Sequence, residues 1–149
     1  MNGLKGPLRS AGMKVTFPDG TTALGSALRE RELHSADRDF GLYMDARWAP
    51  TWPHTIIDWK DFGLPADPDA AAAAIADAFE RARSGVRVEV GCAGGLGRTG
   101  TVLACMAVLA GVAAPNAVQW VRDNYSPGAV ETLDQRNWVE EFASKRAPK

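Results

Sequence analysis

The sequence predicts a single α/β domain, and three adjoining stretches carry that prediction. Asp67 to Gly85 has the signals of a helix, Val86 to Val90 the alternation of a strand, and Thr99 to Ala110 the unbroken apolar character of a buried helix. Strand and helix patterns that follow one another along a chain indicate helices packed on a sheet. At 149 residues, 46% hydrophobic and 23% charged, the chain is of a size for one core rather than two, so residues 1–149 are read as one domain.

Taken in order, Met13 to Phe17 reads as a short strand ending at the Pro18-Asp19-Gly20 turn, and Gly41 to Met44 and Thr55 to Trp59 read as further strands. From Pro68 to Ser84 the helix signals agree. Asp67 stands at the N-cap, proline at the first helical position, alanines fill the middle, arginines occupy the last turn, and Gly85 follows. Val86-Arg87-Val88-Glu89-Val90 alternates in period two and runs into a glycine-rich turn. The Thr99–Ala110 run is apolar on nearly every side, which places it in the middle of the domain. Two more helices are expected, one after Pro115 carrying Val118, Trp120 and Val121, and one from Leu133 to Ser144 carrying Trp138, Val139 and Phe142.

Composition narrows the function. Lys plus Arg number 17 against 18 Asp plus Glu, so no bulk field draws the chain to nucleic acid or an acidic membrane, and anion binding has to be local. No apolar run is long enough to span a bilayer, and the first fourteen residues lack the apolar core of a leader, so a cytoplasmic location is expected. The two cysteines, Cys92 and Cys105, and the two histidines, His34 and His54, have no paired metal-ligand spacing; neither a metal nor a disulfide framework is expected.

The chemistry is concentrated in Gly91-Cys92-Ala93-Gly94-Gly95-Leu96-Gly97-Arg98-Thr99-Gly100. Gly95, Gly97 and Gly100 satisfy the dinucleotide-binding glycine pattern, but that fold requires a second strand ending in an acid, whereas a helix is expected here. A nucleoside-triphosphate loop needs glycine at 92 and lysine at 98, where cysteine and arginine stand. A third reading uses every residue. Amides of Ala93, Gly94, Gly95, Leu96 and Gly97 on a turn closing at a helix N-terminus can cradle phosphate oxygens. The same field favours thiolate, as for cysteines whose pKa falls from about 8.5 into the range of about 3.5 to 7.5. Cys92 is then a nucleophile, Arg98 a planar two-donor clamp on the phosphoryl group, and Thr99 a hydroxyl donor to the departing thiolate. The competing reading makes Cys92 a small buried hydrophobe and Arg98 a surface charge.

Cys92-x5-Arg98-Thr99-Gly100 resembles the signature of the protein tyrosine phosphatase superfamily, and the Gly94-to-Gly100 form looks most like the small dual-specificity phosphatases similar to the cyclin-dependent-kinase-associated phosphatase. The resemblance implies a central mixed sheet flanked by helices, a phosphocysteine intermediate, no cofactor or metal, and a phosphoprotein or phosphopeptide as substrate. Trp59-Lys60-Asp61-Phe62-Gly63-Leu64-Pro65 resembles the movable acid loop of that family, with Lys60 in place of proline, which makes Asp61 the general acid and Asp58 its rival. Pro127 to Gln135 resembles the segment whose glutamine positions the attacking water. Gln135 is the candidate, and Thr132-x-x-Gln135 is equally a helix capping box. Two departures stand out: Gly91 replaces the histidine usual before the cysteine, and no lysine lies between Cys92 and Arg98, unlike many inositol-lipid phosphatases. Tyr43, Trp48 and Trp52 are candidates for an aromatic wall beside the pocket or for core. The expected activity is hydrolysis of phosphotyrosine, with phosphoserine and phosphothreonine as further substrates; the alternative is a phosphate-binding module without turnover. The oligomeric state is not readable from these residues.

Overall fold

A computed structural model describes residues 13–28, 38–48 and 50–146. His34 and most of the N-terminal segment lie outside the described residues. Five strands, β1 (Met13–Thr16), β2 (Thr22–Ala27), β3 (Phe40–Tyr43), β4 (His54–Ile56) and β5 (Val88–Cys92), form one sheet in the order β1-β2-β5-β3-β4. Only the β1–β2 pair is antiparallel; β2 with β5, β5 with β3 and β3 with β4 run parallel, so the sheet is mixed. The helices are α1 (Pro68–Arg83), α2 (Gly97–Leu109), α3 (Ala114–Asn124) and α4 (Leu133–Arg146).

α1 forms as its caps dictate: Asp67 Oδ1 accepts a hydrogen bond from the Ala70 amide at 3.1 Å, and Gly85 takes a left-handed φ of 102° just beyond the end. α2 is the central helix, in contact with the other three helices and with β2 and β5. Every residue from Gly97 to Ala107 is buried, which is why its sequence is apolar all round.

Both faces of the central strands are covered, and side chains alternate between them. Val88, Val90 and Cys92 of β5 and Phe40 and Leu42 of β3 belong to the helix-facing apolar core. Between them, Glu89 points to the opposite face with no exposed surface. It accepts hydrogen bonds from Ser26 Oγ at 2.5 Å and Tyr43 Oη at 2.7 Å, and pairs with Arg38 Nε at 3.1 Å. A buried carboxylate held by donors from neighbouring strands in this way ties β2, β3 and β5 together.

Several boundaries differ from expectation. β2 is absent from the sequence reading, because Thr-Ala-Leu-Gly-Ser-Ala has neither β-branched enrichment nor clean alternation; pairing on both sides makes it a strand. The strand expected at Val86–Val90 lies two residues later, so Cys92 is its last residue rather than a turn residue. The strand expected over Thr55–Trp59 ends at Ile56, and Trp59 instead bridges to Pro65 across the acid loop. α2 starts at Gly97, so Arg98 lies in its first turn. Only helices follow, and the second strand of a dinucleotide fold does not appear among the described residues.

Candidate active site

Cys92 closes β5 at the middle of the sheet, and the chain turns over Ala93 to Leu96 before entering α2. Two donors converge on its sulfur: the Gly95 amide at 3.3 Å and Thr99 Oγ1 at 3.0 Å. Thr99, the expected hydroxyl donor, thus lies within hydrogen-bond distance of the Cys92 sulfur. The loop's shape depends on Gly95, whose φ of 74° is left-handed and whose Cα lies so close to β2 that a Cβ would stand 2.9 Å from Ala27 Cα. α2 has no side chain capping its N-terminus, so its first amides remain turned toward the loop.

Arg98 is 5% exposed, and one corner of its guanidinium is fixed. Nη1 donates to the backbone carbonyls of Met44 at 2.5 Å and Trp59 at 2.8 Å. Nη2 lies 3.6 Å from Asp61 Oδ1, and Nε is buried with no hydrogen-bond partner among the described residues. Anchoring Nη1 to two carbonyls leaves the Nε–Nη2 edge as a pair of oriented donors, the geometry that suits two oxygens of one phosphoryl group.

Asp61 stands on a loop closed by four internal contacts. The Ala66 amide donates to the Asp58 carbonyl, the Gly63 amide to the Lys60 carbonyl, Trp59 Nε1 to the Gly63 carbonyl at 2.7 Å, and Trp59 bridges to Pro65. Trp59 is the root of this loop, its ring packed edge-on against Trp138 at 5.5 Å. Phe62, next to Asp61, holds a positive φ of 61° and is 61% exposed. Asp58 and Asp61 both line a cleft of about 240 Å³ together with Met44, Asp45, Arg47, Lys60 and Arg98. Of the two acids, Asp61 is the one brought to ion-pair distance of Arg98.

Gln135 is fully buried and satisfies the capping box: the Gln135 amide donates to Thr132 Oγ1 at 3.0 Å, and its Oε1 accepts from the Thr132 amide at 3.3 Å and the Glu131 amide at 2.9 Å. Its Nε2 reaches the Gly63 carbonyl at 3.3 Å, so the α4 N-terminus is tied to the acid loop. The cap and the site are thus one structure.

Gly91 has a steric reason. A Cβ there would stand 2.7 Å from Leu28 Cδ2 and 3.3 Å from Tyr43 Cδ1, leaving no room for the imidazole that the resemblance leads one to expect. Tyr43 is completely buried and bonded to Glu89 and Trp52, so it is core and not a pocket wall. Trp48 does border the turn that follows Cys92, lining a cleft with Leu28, Asp45, Arg47 and Ala93.

Three site residues escaped the sequence reading. Glu131 lies against the loop, since a Cβ on Gly97 would collide with its Oε1, and partial burial followed by the charge of Asp61 pushes its carboxyl up while Arg98 pulls it down. Arg122 donates to the carbonyls of Ala129 at 2.8 Å and Val130 at 2.7 Å, holding the segment that packs on Gly100, where Val130 has a positive φ of 62°. Tyr125 Oη donates to the Gly95 carbonyl at 2.6 Å. None belongs to a local motif; only the Thr132–Gln135 box marks Glu131 as neighbouring the site. Cys105 is buried in α2, and burial raises its thiol well above the ordinary range. Among the described residues no cluster of three His, Cys, Asp or Glu can hold a metal ion, and no helix is long and apolar enough to cross a membrane.

With this geometry in view, residues 55–148 match the model of the family described as PTP-SAK, Swiss Army Knife protein, DSP-PTPase phosphatase domain. Two uncharacterized proteins of Methanocaldococcus jannaschii, MJECL20 and MJ0215, are 36% identical over 69% of this chain and 75% of theirs, and 34% identical over 73% of this chain and 74% of theirs. The crystal structure of Tk-PTP in its active form superposes with a TM-score of 0.71 at 26% identity, covering 88% of this chain and 97% of that one. The kinase associated phosphatase, KAP, superposes with a TM-score of 0.76 over 97% of this chain and 98% of its own; at 18% identity that likeness concerns the fold.

Proposed function

This chain belongs to the DSP-PTPase phosphatase domains, small dual-specificity cysteine phosphatases, and we propose that it hydrolyses phosphotyrosine, with phosphoserine and phosphothreonine as further substrates, in proteins or peptides, through a phosphocysteine intermediate without a metal. In the first step Cys92 Sγ attacks phosphorus, an S–P bond forms, the ester P–O bond breaks, and the Asp61 carboxyl gives its proton to the leaving oxygen. In the second, water attacks phosphorus, its proton passes to the Asp61 carboxylate, and the S–P bond breaks to return the thiolate, which Thr99 Oγ1 stabilises. Gln135 Oε1 is held by two backbone amides, so the 3.3 Å bond from Nε2 to the Gly63 carbonyl is the contact it exchanges for the attacking water. Throughout, the loop amides and the Nε–Nη2 edge of Arg98 hold the phosphoryl oxygens.

The observation that carries this reading is Arg98: a guanidinium 5% exposed, fixed at one corner by two carbonyls, with a buried Nε that has no hydrogen-bond partner among the described residues. A buried unpaired donor on a cation costs about 1–3 kcal/mol or more, a cost that a bound oxyanion removes. The test is p-nitrophenyl phosphate hydrolysis at mildly acidic pH with reductant and chelator. Turnover that persists with chelator and vanishes in Cys92→Ser is expected; a folded wild type that binds phosphopeptide without releasing phosphate would instead identify a binding module.

A further inference from the structure

The amides of the phosphate loop can hold an oxyanion only if each peptide plane is turned the right way, and a glycine-rich loop does not choose that orientation by itself. At Gly95 the choice is made from outside. Tyr125, the residue that ends α3, is 2% exposed, and its hydroxyl donates to the Gly95 carbonyl at 2.6 Å. The ring reaches that position through a gap in β2 left by Gly25, where any Cβ would collide with Tyr125 Cε1. Two glycines on separate elements therefore accommodate one tyrosine: Gly25 admits the ring, and Gly95 approaches Ala27 in a left-handed conformation that presents its carbonyl to the hydroxyl.

The Gly95–Leu96 peptide bond is trans, so the carbonyl of Gly95 and the N–H of Leu96 point in opposite directions. With the carbonyl pinned toward Tyr125, the Leu96 N–H is turned away from Tyr125, and the Gly95 N–H faces Cys92 Sγ at 3.3 Å. We propose that Tyr125 is a positioning residue of the phosphate loop, its hydroxyl locking the Gly95–Leu96 peptide in the orientation that lets the Leu96 amide join the Gly95 amide in binding the phosphoryl group. The inference rests on the phosphate-cradle reading of the loop and extends it. Burial, reinforced by the charge of Cys92, pushes the Tyr125 hydroxyl up, so it remains a donor throughout the working range of pH. A phenylalanine would fill the same space, and among the described residues the Gly95 carbonyl is the hydroxyl's hydrogen-bond partner.

The test is Tyr125→Phe, which keeps the ring beside Gly25 and removes the lock. Orthovanadate and inorganic phosphate affinities are measured on the folded protein, alongside kcat and KM for p-nitrophenyl phosphate and thermal unfolding. Both oxyanions are expected to bind on the order of tenfold more weakly, with kcat/KM falling in parallel. Tm falls in either case, because the buried carbonyl loses its donor, so oxyanion affinity is the deciding readout. Wild-type oxyanion affinity in Tyr125→Phe would overturn the lock. A wild type that binds vanadate but hydrolyses nothing would sink the hydrolase reading and leave the lock to be judged by the same comparison of affinities, whereas a wild type that binds neither oxyanion would overturn both.

Discussion

Arg98→Lys is the sharpest perturbation of this site, because it keeps the charge and removes the geometry. Arg98 divides its donors: Nη1 is used by the carbonyls of Met44 and Trp59, and the Nε–Nη2 edge, whose Nη2 lies 3.6 Å from Asp61, is the one proposed for substrate. A lysine has one ammonium and cannot do both. If it stays with the carbonyls, two charge-assisted hydrogen bonds to the transition state are lost, at about 1.5–3 kcal/mol each. If it turns to the phosphoryl group, two carbonyls lose their donor at about 1–3 kcal/mol each, and one phosphate contact is still missing. The first route costs about 3 kcal/mol or more in the transition state, a fall in kcat/KM of roughly 100-fold or greater; the second removes one contact there, about 1.5 kcal/mol or more and roughly tenfold or greater, with the carbonyl losses appearing as lost stability. Steady-state hydrolysis of p-nitrophenyl phosphate reads it, with thermal unfolding run beside it to show which route is taken: unchanged Tm marks the first, lowered Tm the second. Activity within about threefold of wild type would refute the division of donors.

Three further outcomes follow from the same geometry. Asp61→Asn is expected to lower kcat by about 100-fold or more on substrates with poor leaving groups, with Asp58→Asn near wild type; the reverse ranking in paired pH–rate profiles would move the acid to Asp58. Gln135→Ala removes a capping acceptor and the tie to Gly63, so a stability loss of about 1–2 kcal/mol by denaturant titration, together with a lower kcat, is expected; loss of stability alone would confine Gln135 to capping. Glu131 carries a raised pKa, so over the interval above its unfolded value the folded chain binds more protons than the unfolded one, and its contribution weakens as pH rises. Glu131→Gln should therefore raise Tm near pH 7 and shift it less as pH falls below the carboxyl's unfolded value; an equal shift in both ranges would show that its charge is irrelevant.

Much of this protein is legible from local signals. The caps of α1, the apolar run of α2 and the Thr132–Gln135 box each depend on residues within one or two turns of one another, and each appears at or within a few residues of its expected place. The cysteine-to-arginine spacing is likewise local, since a strand, a turn and a helix start suffice to bring Cys92 and Arg98 onto one loop.

What the sequence could not show is what is decided across the sheet. β2 has no strand signature and exists because β1 and β5 pair with it on either side. Glu89 sits in an alternation that reads as solvent-facing, yet Ser26, Arg38 and Tyr43 converge on it from separate elements and make its burial tolerable. The donors of Arg98 are assigned by carbonyls 39 and 54 residues away in the chain, and the orientation of Gly95 by a tyrosine 30 residues on. The sequence by itself determined the α/β class and the strand–turn–helix setting of Cys92 and Arg98, because backbone propensity and spacing act over short range. Only the tertiary structure decided which corner of Arg98 is anchored, which acid stands beside it and what holds the loop in shape, because each of those follows from contacts between segments whose separation along the chain bears no relation to their distance in space.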